Sequence, residues 1–273
     1  MTKTSSSVNH KGGKLIVIDG TDGTGKTTQM ALLVKRLRTE KYRVAITDFP
    51  RYGLPSAYFV ERYLNGKYGK SAEVDPRAAS LFYALDRYDA RQEIKKMLRQ
   101  GRLVVSNRYV TANMGHQGGK IQDKSERRRF FRWLDDLEHG LLGLPRPELT
   151  IILHVPAAIA QRLVDRKGRR EYIRRKRDLH EADIHHLKAA EQTYLEIASL
   201  FPKFSVIECV AKGRLLSPLA IHDKIWETVQ SIINPVRNSR RVFRSRRELS
   251  RAVALTSSAN RRKRGIISNG IKR

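Results

Sequence analysis

From Lys14 onward, short unbroken apolar runs alternate with longer stretches in which apolar residues return every three or four positions. Leu15-Ile16-Val17-Ile18 is such a run, ending in Asp19-Gly20, as expected of a parallel strand buried on both faces. Similar runs at 44–47, 103–105, 150–153 and 204–207 predict four more strands. Residues 26–40 place Met30, Leu33, Val34 and Leu37 along one helical face. Further helical stretches are predicted at 56–65, 76–100, 126–142, 156–164, 178–200 and 217–233. Strands separated by helices of this length predict an α/β fold, a five-stranded parallel sheet with helices on both faces. No internal repeat interrupts the alternation.

Asn234 precedes Pro235 and is pushed out of helical geometry, which closes the last predicted helix. Residues 236–273 beyond it have little apolar periodicity and carry thirteen Lys/Arg against one acid, Glu248. This tail and a polar leader at 1–12 are expected to be disordered, the tail folding at most on a partner. The 273 residues suffice for one good core. The formal net charge of +28 points to an anionic substrate, to nucleic acid, or to both. It is unevenly placed: besides the tail, 161–180 hold nine Lys/Arg and three acids. No apolar run approaches the roughly 18 residues of a membrane span, and the polar start lacks the apolar core of a secretion signal. The single cysteine, Cys209, excludes an internal disulfide and a cysteine-built zinc site. A cytoplasmic setting without membrane contact is therefore expected.

Gly20-Thr21-Asp22-Gly23-Thr24-Gly25-Lys26-Thr27 fits G-x-x-x-x-G-K-[ST], follows an apolar strand and opens a helix. The glycines let several backbone N–H groups converge on one phosphate, and the helix N-terminus adds positive partial charge there. Lys26 supplies a mobile cation for the β and γ oxygens, and Thr27 a hydroxyl for Mg²⁺. The expected ATP-binding residues are Gly20, Asp22, Gly23, Thr24, Gly25, Lys26, Thr27 and Thr28, with Asp22 a second candidate for the metal. No Asn-Lys-x-Asp guanine signature occurs, and no apolar strand ends in Asp-Glu. The acceptor side has to separate the remaining P-loop enzymes.

Several blocks, in order over residues 13–233, resemble the thymidylate kinase family of nucleoside monophosphate kinases. The P-loop from Ile18 to Gln29 is one, and Asp48-Phe49-Pro50-Arg51 after the second strand is another. Leu81-Phe82-Tyr83-Ala84-Leu85-Asp86-Arg87 is similar to the helix that presents an aromatic ring and an arginine to the base. The block from Asn107 to Gln117, containing Arg108 and Asn113, resembles the family's Asp-Arg-Tyr block, with Asn107 in place of the aspartate. Residues 162–181 stand where the family has its lid. The resemblance implies a P-loop NTPase three-layer fold with a helical lid. It implies a kinase domain at 13–235, with the lid at about 165–177. It also implies transfer of the γ-phosphoryl of ATP to dTMP, with Mg²⁺, and a homodimer is expected.

Acceptor contacts are expected from Asp22, Phe49, Arg51, Tyr83, Arg87, Arg108, Asn113 and Gln117. Tyr83 and Arg87 are four apart on a helix and share a face, one able to stack on a base and the other to hydrogen-bond its edge. Arg108 follows a buried strand at the edge where open α/β sheets bind ligands, and its planar fork suits a phosphate. Gly23 and Thr24 stand where one branch of the family has a P-loop arginine, so the catalytic cation is expected from the lid. Arg166 and Arg169 are the candidates, with Arg162 as a phosphate contact and Lys26 and Arg108 as catalytic partners. Two other readings remain: a deoxynucleoside kinase with Asp48 as base, and a nucleic-acid-binding ATPase suggested by the charge.

Overall fold

The computed structural model describes residues 12–71, 73–165 and 184–234. Nearly all of the leader, the lid segment with Arg166 and Arg169, and the basic tail lie outside the described residues. All five predicted strands are present: β1 (Lys14–Asp19), β2 (Val44–Asp48), β3 (Leu103–Asn107), β4 (Leu149–His154) and β5 (Phe204–Glu208). They form one parallel sheet in the order β2-β3-β1-β4-β5. β1 lies at the centre, with β2 and β3 to one side of it and β4 and β5 to the other. Connections that diverge in this way leave a crevice beyond the strand ends, where open α/β sheets bind ligands. Asp19, Asp48 and Asn107 end their strands along that edge.

The helices are α1 (Lys26–Thr39), α2 (Tyr58–Leu64), α3 (Pro76–Arg99), α4 (Val110–Gly118), α5 (Lys124–Asp135), α6 (Ala157–Asp165), α7 (Ile184–Leu200) and α8 (Pro218–Ile233). Asp75 caps α3 by accepting from the N–H groups of Arg77 and Ala78, and Pro76 occupies the first turn. A proline is favoured there because its missing N–H would have no partner anyway. One core cluster joins Leu15 and Val17 of β1 and Val104 of β3 to Ile94 of α3, Met114 of α4, Phe130, Phe131 and Leu134 of α5, and Ile197 of α7. Each such side chain contributes about 1.5–3 kcal/mol on leaving water.

Three features differ from the sequence expectation. Helix α4 was not anticipated, because Gly115 and Gly118 argue against a helix by propensity. The glycine is there for closeness: a β-carbon on Gly115 would lie 2.5 Å from the ring of Tyr194 on α7. The stretch expected as one helix over 126–142 is α5 followed by a wider π-helical turn, Asp136–Leu141, which turns Glu138 fully inward. A short antiparallel hairpin, β6 (Val210–Ala211) with β7 (Arg214–Leu215), was also unanticipated. The chain divides after Trp226, and the candidate site lies in the unit before that division. No helix among the described residues is long and apolar enough to cross a membrane.

Candidate active site

Buried β1 delivers the chain to Gly20, and α1 begins at Lys26 behind Gly25. Gly23 and Gly25 have φ of 84° and 87°, a left-handed conformation that side chains rarely adopt. At Gly23 space is also lacking, since a β-carbon would run into the carbonyl oxygen of Ala160 on α6. Thr24 Oγ1 closes the loop by donating to the Thr21 carbonyl at 2.9 Å. Lys26 Nζ donates to the carbonyls of Gly20 and Thr21 at 2.9 and 2.8 Å and stands 3.8 Å from Asp22 Oδ1. A cavity of about 230 Å³ lies over this loop, lined by Asp22, Gly23, Gly25, Lys26, Thr27, Asp48 and Asn107 among others. Thr28 is exposed and lies outside that lining.

A second, narrower cavity continues from the first. Asp22, Phe49, Pro50, Tyr52 and Arg108 line both. The Arg108 guanidinium donates from Nη2 to Asp22 Oδ1, so an ion pair marks the boundary. Burial opposes the charge on Arg108, but Asp22, together with Tyr52, Tyr194 and Asp19, outweighs it and holds the guanidinium pKa above its usual value. The backbone of Arg108 has φ of 61°, unusual for a residue with a side chain. It is held by its N–H on the Ile18 carbonyl at 2.9 Å and by Ser106 Oγ on its own carbonyl at 2.6 Å. Strain kept in place by such contacts is found at functional sites. Arg108 Nε is buried without a hydrogen-bond partner among the described residues.

The second cavity is closed by Tyr83 and Arg87 of α3 and by Asn113, His116 and Gln117 of α4. Arg87 is fully buried and forms a fork on Glu138, Nε to Oε2 at 2.5 Å and Nη2 to Oε1 at 2.7 Å. Burial pulls against its charge and Glu138 holds it. Asn113 Nδ2 donates to Glu138 Oε1 at 3.1 Å and to the Ser80 carbonyl at 3.0 Å. Toward a ligand, then, this neutralised cluster offers fixed hydrogen-bonding groups and little net charge. Gln117 Oε1 is buried in the cavity wall with no hydrogen-bond partner among the described residues. His116 stacks on His186 with ring centroids 5.6 Å apart, and burial holds its pKa well below 6.5.

The structure thus gathers Asp22, Phe49, Tyr83, Arg87, Arg108, Asn113 and Gln117 around one cavity. Arg51 is the exception. It lines neither cavity, and its side chain is tied to Asp86 at 3.0 Å, Ser56 at 2.8 Å and Asp89 at 2.5 Å. The neighbouring Tyr52 stands in both cavities instead. Arg162 is exposed on α6 and lines neither cavity. Asn107 donates from Nδ2 to Asp48 Oδ1 at 2.8 Å, so the carboxylate missing at 107 is replaced by its neighbour on β2. Burial raises the Asp48 pKa, with Arg108 and the Asn107 hydrogen bond working against the rise. Tyr52, Glu138 and His116 were missed from sequence. Glu138 carried a signal, since it continues the buried stripe of Phe130, Phe131 and Leu134 one turn further. A carboxylate on such a stripe calls for a buried cation.

A protein-family model described as "Thymidylate kinase" matches residues 18–211. The thymidylate kinase of Mycobacterium tuberculosis is 31% identical over 186 residues, 68% of this chain and 86% of that protein. That of Afipia carboxidovorans is 28% identical over 222 residues, 80% of this chain and 89% of its own length. Among solved structures, a thymidylate kinase from Candida albicans is similar with a TM-score of 0.62 at 22% identity, covering 81% of this chain and 92% of that one, which speaks for the fold. The cradle, the adjoining cavity and these matches coincide over one stretch of sequence. The chain belongs to the thymidylate kinase family.

Proposed function

We propose that the chain transfers the γ-phosphoryl group of ATP directly to dTMP, giving dTDP and ADP. The observation that carries this reading is the junction of a phosphate cradle with a second cavity through shared residues, Asp22, Phe49, Pro50, Tyr52 and Arg108. The loop N–H groups and Lys26 hold the donor phosphates, Lys26 exchanging the Gly20 and Thr21 carbonyls for phosphate oxygens. The base lies against Tyr83 and Phe49, with the amides of Asn113 and Gln117 along its edge and the Arg87 guanidinium, held on Glu138, presenting its other side. Arg108 faces the phosphate that must pass between the two cavities.

A monophosphate acceptor needs no strong general base, because its second pKa is about 6 and an unprotonated oxygen is available at neutral pH. Positioning and charge neutralisation then do most of the catalysis. The donor set supports magnesium: Thr27, Asp48 and Asp22 offer hard oxygens in one cavity, and magnesium keeps water and phosphate oxygens as its other ligands. When bound, the ion neutralises charge on the β and γ phosphates. Asp48 lines the donor cavity but not the acceptor cavity, which favours this role over that of a base for a nucleoside hydroxyl.

The decisive assay compares dTMP, dUMP, UMP and thymidine for ADP release from ATP. Turnover of thymidine with none of dTMP would move the assignment to a nucleoside kinase. We assign the remaining transition-state cation to Arg166 or Arg169, so that Arg166→Ala or Arg169→Ala lowers kcat far more than it raises KM for ATP. Two near-normal variants would remove the lid from the mechanism. A homodimer is supported by an exposed apolar stripe on α3, Leu81, Leu85 and Tyr88, beside exposed Tyr58 and Phe59 on α2. The basic tail has no part in transfer in this reading. Its expected property is weak polyanion binding that falls steeply with salt. A cytoplasmic setting suits a chain whose sole cysteine, Cys209, is buried and free.

A further inference from the structure

One histidine of the sheet ties α6 and α7 to it through a shared carboxylate, beside the Tyr194 hydroxyl of α7 that donates to Asp19 of β1 at 2.9 Å. His154 ends β4, and its Nδ1 lies 2.7 and 2.9 Å from the carboxylate oxygens of Glu208 on β5. Its Nε2 lies 2.9 Å from Glu191 Oε1 on α7. The other oxygen of Glu191 accepts from the Ala157 N–H at 2.8 Å, in the first turn of α6. A carboxylate only accepts hydrogen bonds, so a ring with a carboxylate on each nitrogen is satisfied only when both nitrogens carry protons. The geometry therefore calls for an imidazolium.

What this ion holds bears on the phosphate cradle. The backbone of α6 at Ala160 abuts Gly23, and a β-carbon on Gly20 would lie 2.6 Å from the Leu153 carbonyl oxygen. Gly20, Thr21, Leu153, His154 and Glu191 line one small cavity beneath the loop. The P-loop thus packs on backbone at Leu153 and Ala160, close to the Glu191–His154–Glu208 chain. None of these three side chains lines the acceptor cavity.

We propose that His154, as an imidazolium between Glu191 and Glu208, is a positioning residue that seats the P-loop for ATP by fixing α6 and α7 against the sheet. This rests on the reading of the P-loop as the ATP site. Burial lowers the His154 pKa, but the hydrogen bonds it donates to Glu191 and Glu208, with the charges of these two carboxylates, outweigh burial and raise it above 6.5. The nearby Cys209 thiol is pushed up to about 12 by burial, and the Lys224 ammonium donates to the Glu208 carbonyl at 2.8 Å. Because the folded pKa is raised, the brace is complete below about 6.5 and is lost as pH rises through the raised value.

The test uses the full chain, with histidine-labelled protein followed by NMR between about pH 6 and 9 and KM measured over the same range. His154 should titrate above 6.5. KM for ATP should rise about threefold to tenfold through that transition, with KM for dTMP unchanged. In Glu191→Gln the amide oxygen still accepts from Ala157 while the amide N–H donates to an unprotonated Nε2. The rise in KM should therefore flatten and the His154 pKa fall. Glu208→Gln should do less, since that carboxylate is mostly exposed. A wild-type His154 that titrates at or below 6.5, or a KM for ATP that is flat with pH and unchanged in His154→Asn, overturns the proposal. The titration needs no turnover, so it judges the brace even if the functional reading fails for lack of ADP release.

Discussion

On the acceptor side of the cleft, Arg87 is fully buried against Glu138, and Asn113 shares the same carboxylate. On the donor side, Lys26 rests on loop carbonyls beside a cavity of about 230 Å³. The first region is finished before substrate arrives, with its charges cancelled and its donors fixed. In the second, on the function proposed above, one cation, Lys26, changes partners as phosphate enters. A preformed, neutral pocket suits selection of a base, because hydrogen bonds left unmade there are expensive. A relocatable cation suits a charge that moves during the reaction.

This contrast breaks most readily at Glu138. Glu138→Ala leaves the Arg87 charge buried without its partner. Loss of about 3–5 kcal/mol of stability is expected, read as a lowered midpoint in denaturant. A change below about 1 kcal/mol would mean that water or relaxation reaches Arg87 and that the pocket is not fixed. Next in size is Lys26→Ala, which should lower kcat by about a hundredfold or more while leaving the fold intact. A near-normal kcat would remove Lys26 from the transfer step.

Arg51→Ala sharpens the comparison from outside it. Arg51 braces Asp86, which is almost fully buried, so about 1–2 kcal/mol of stability should go while KM for dTMP stays within about twofold. A large rise in KM would return Arg51 to the phosphate. Gln117→Leu is the smallest perturbation of the folded state. Because Gln117 Oε1 has no hydrogen-bond partner among the described residues, stability should hardly change, while KM for dTMP rises about tenfold. An unchanged KM would show that this oxygen does not meet the acceptor.

The donor half was legible from sequence because its chemistry is local. A strand, glycines at set spacing and a helix start fix the cradle within thirteen residues of chain, from Asp19 back to Leu15 and on through Thr27. Tyr83 and Arg87 were legible for the same reason, being one helical turn apart. Glu138 was legible only in part: its place on the buried stripe called for a cation but not for which one, since it meets Arg87 across 51 positions through a π-helical turn that propensity does not announce. Asp48 stood out in the sequence, but its link to Asn107 did not, because that depends on the register of β2 against β3. Arg51 and Tyr52 show the limit most sharply. They are adjacent in sequence, yet the chain turns one toward α3 and the other into the cleft.

The central claim is that phosphate passes directly between the two cavities to a monophosphate. It is tested most directly by phosphorus NMR of the reaction of ATP with dTMP and, separately, with thymidine. The account expects dTDP and ADP to appear in equal amounts from dTMP, with thymidine left unchanged. Inorganic phosphate in place of dTDP, or dTMP formed from thymidine, would contradict it.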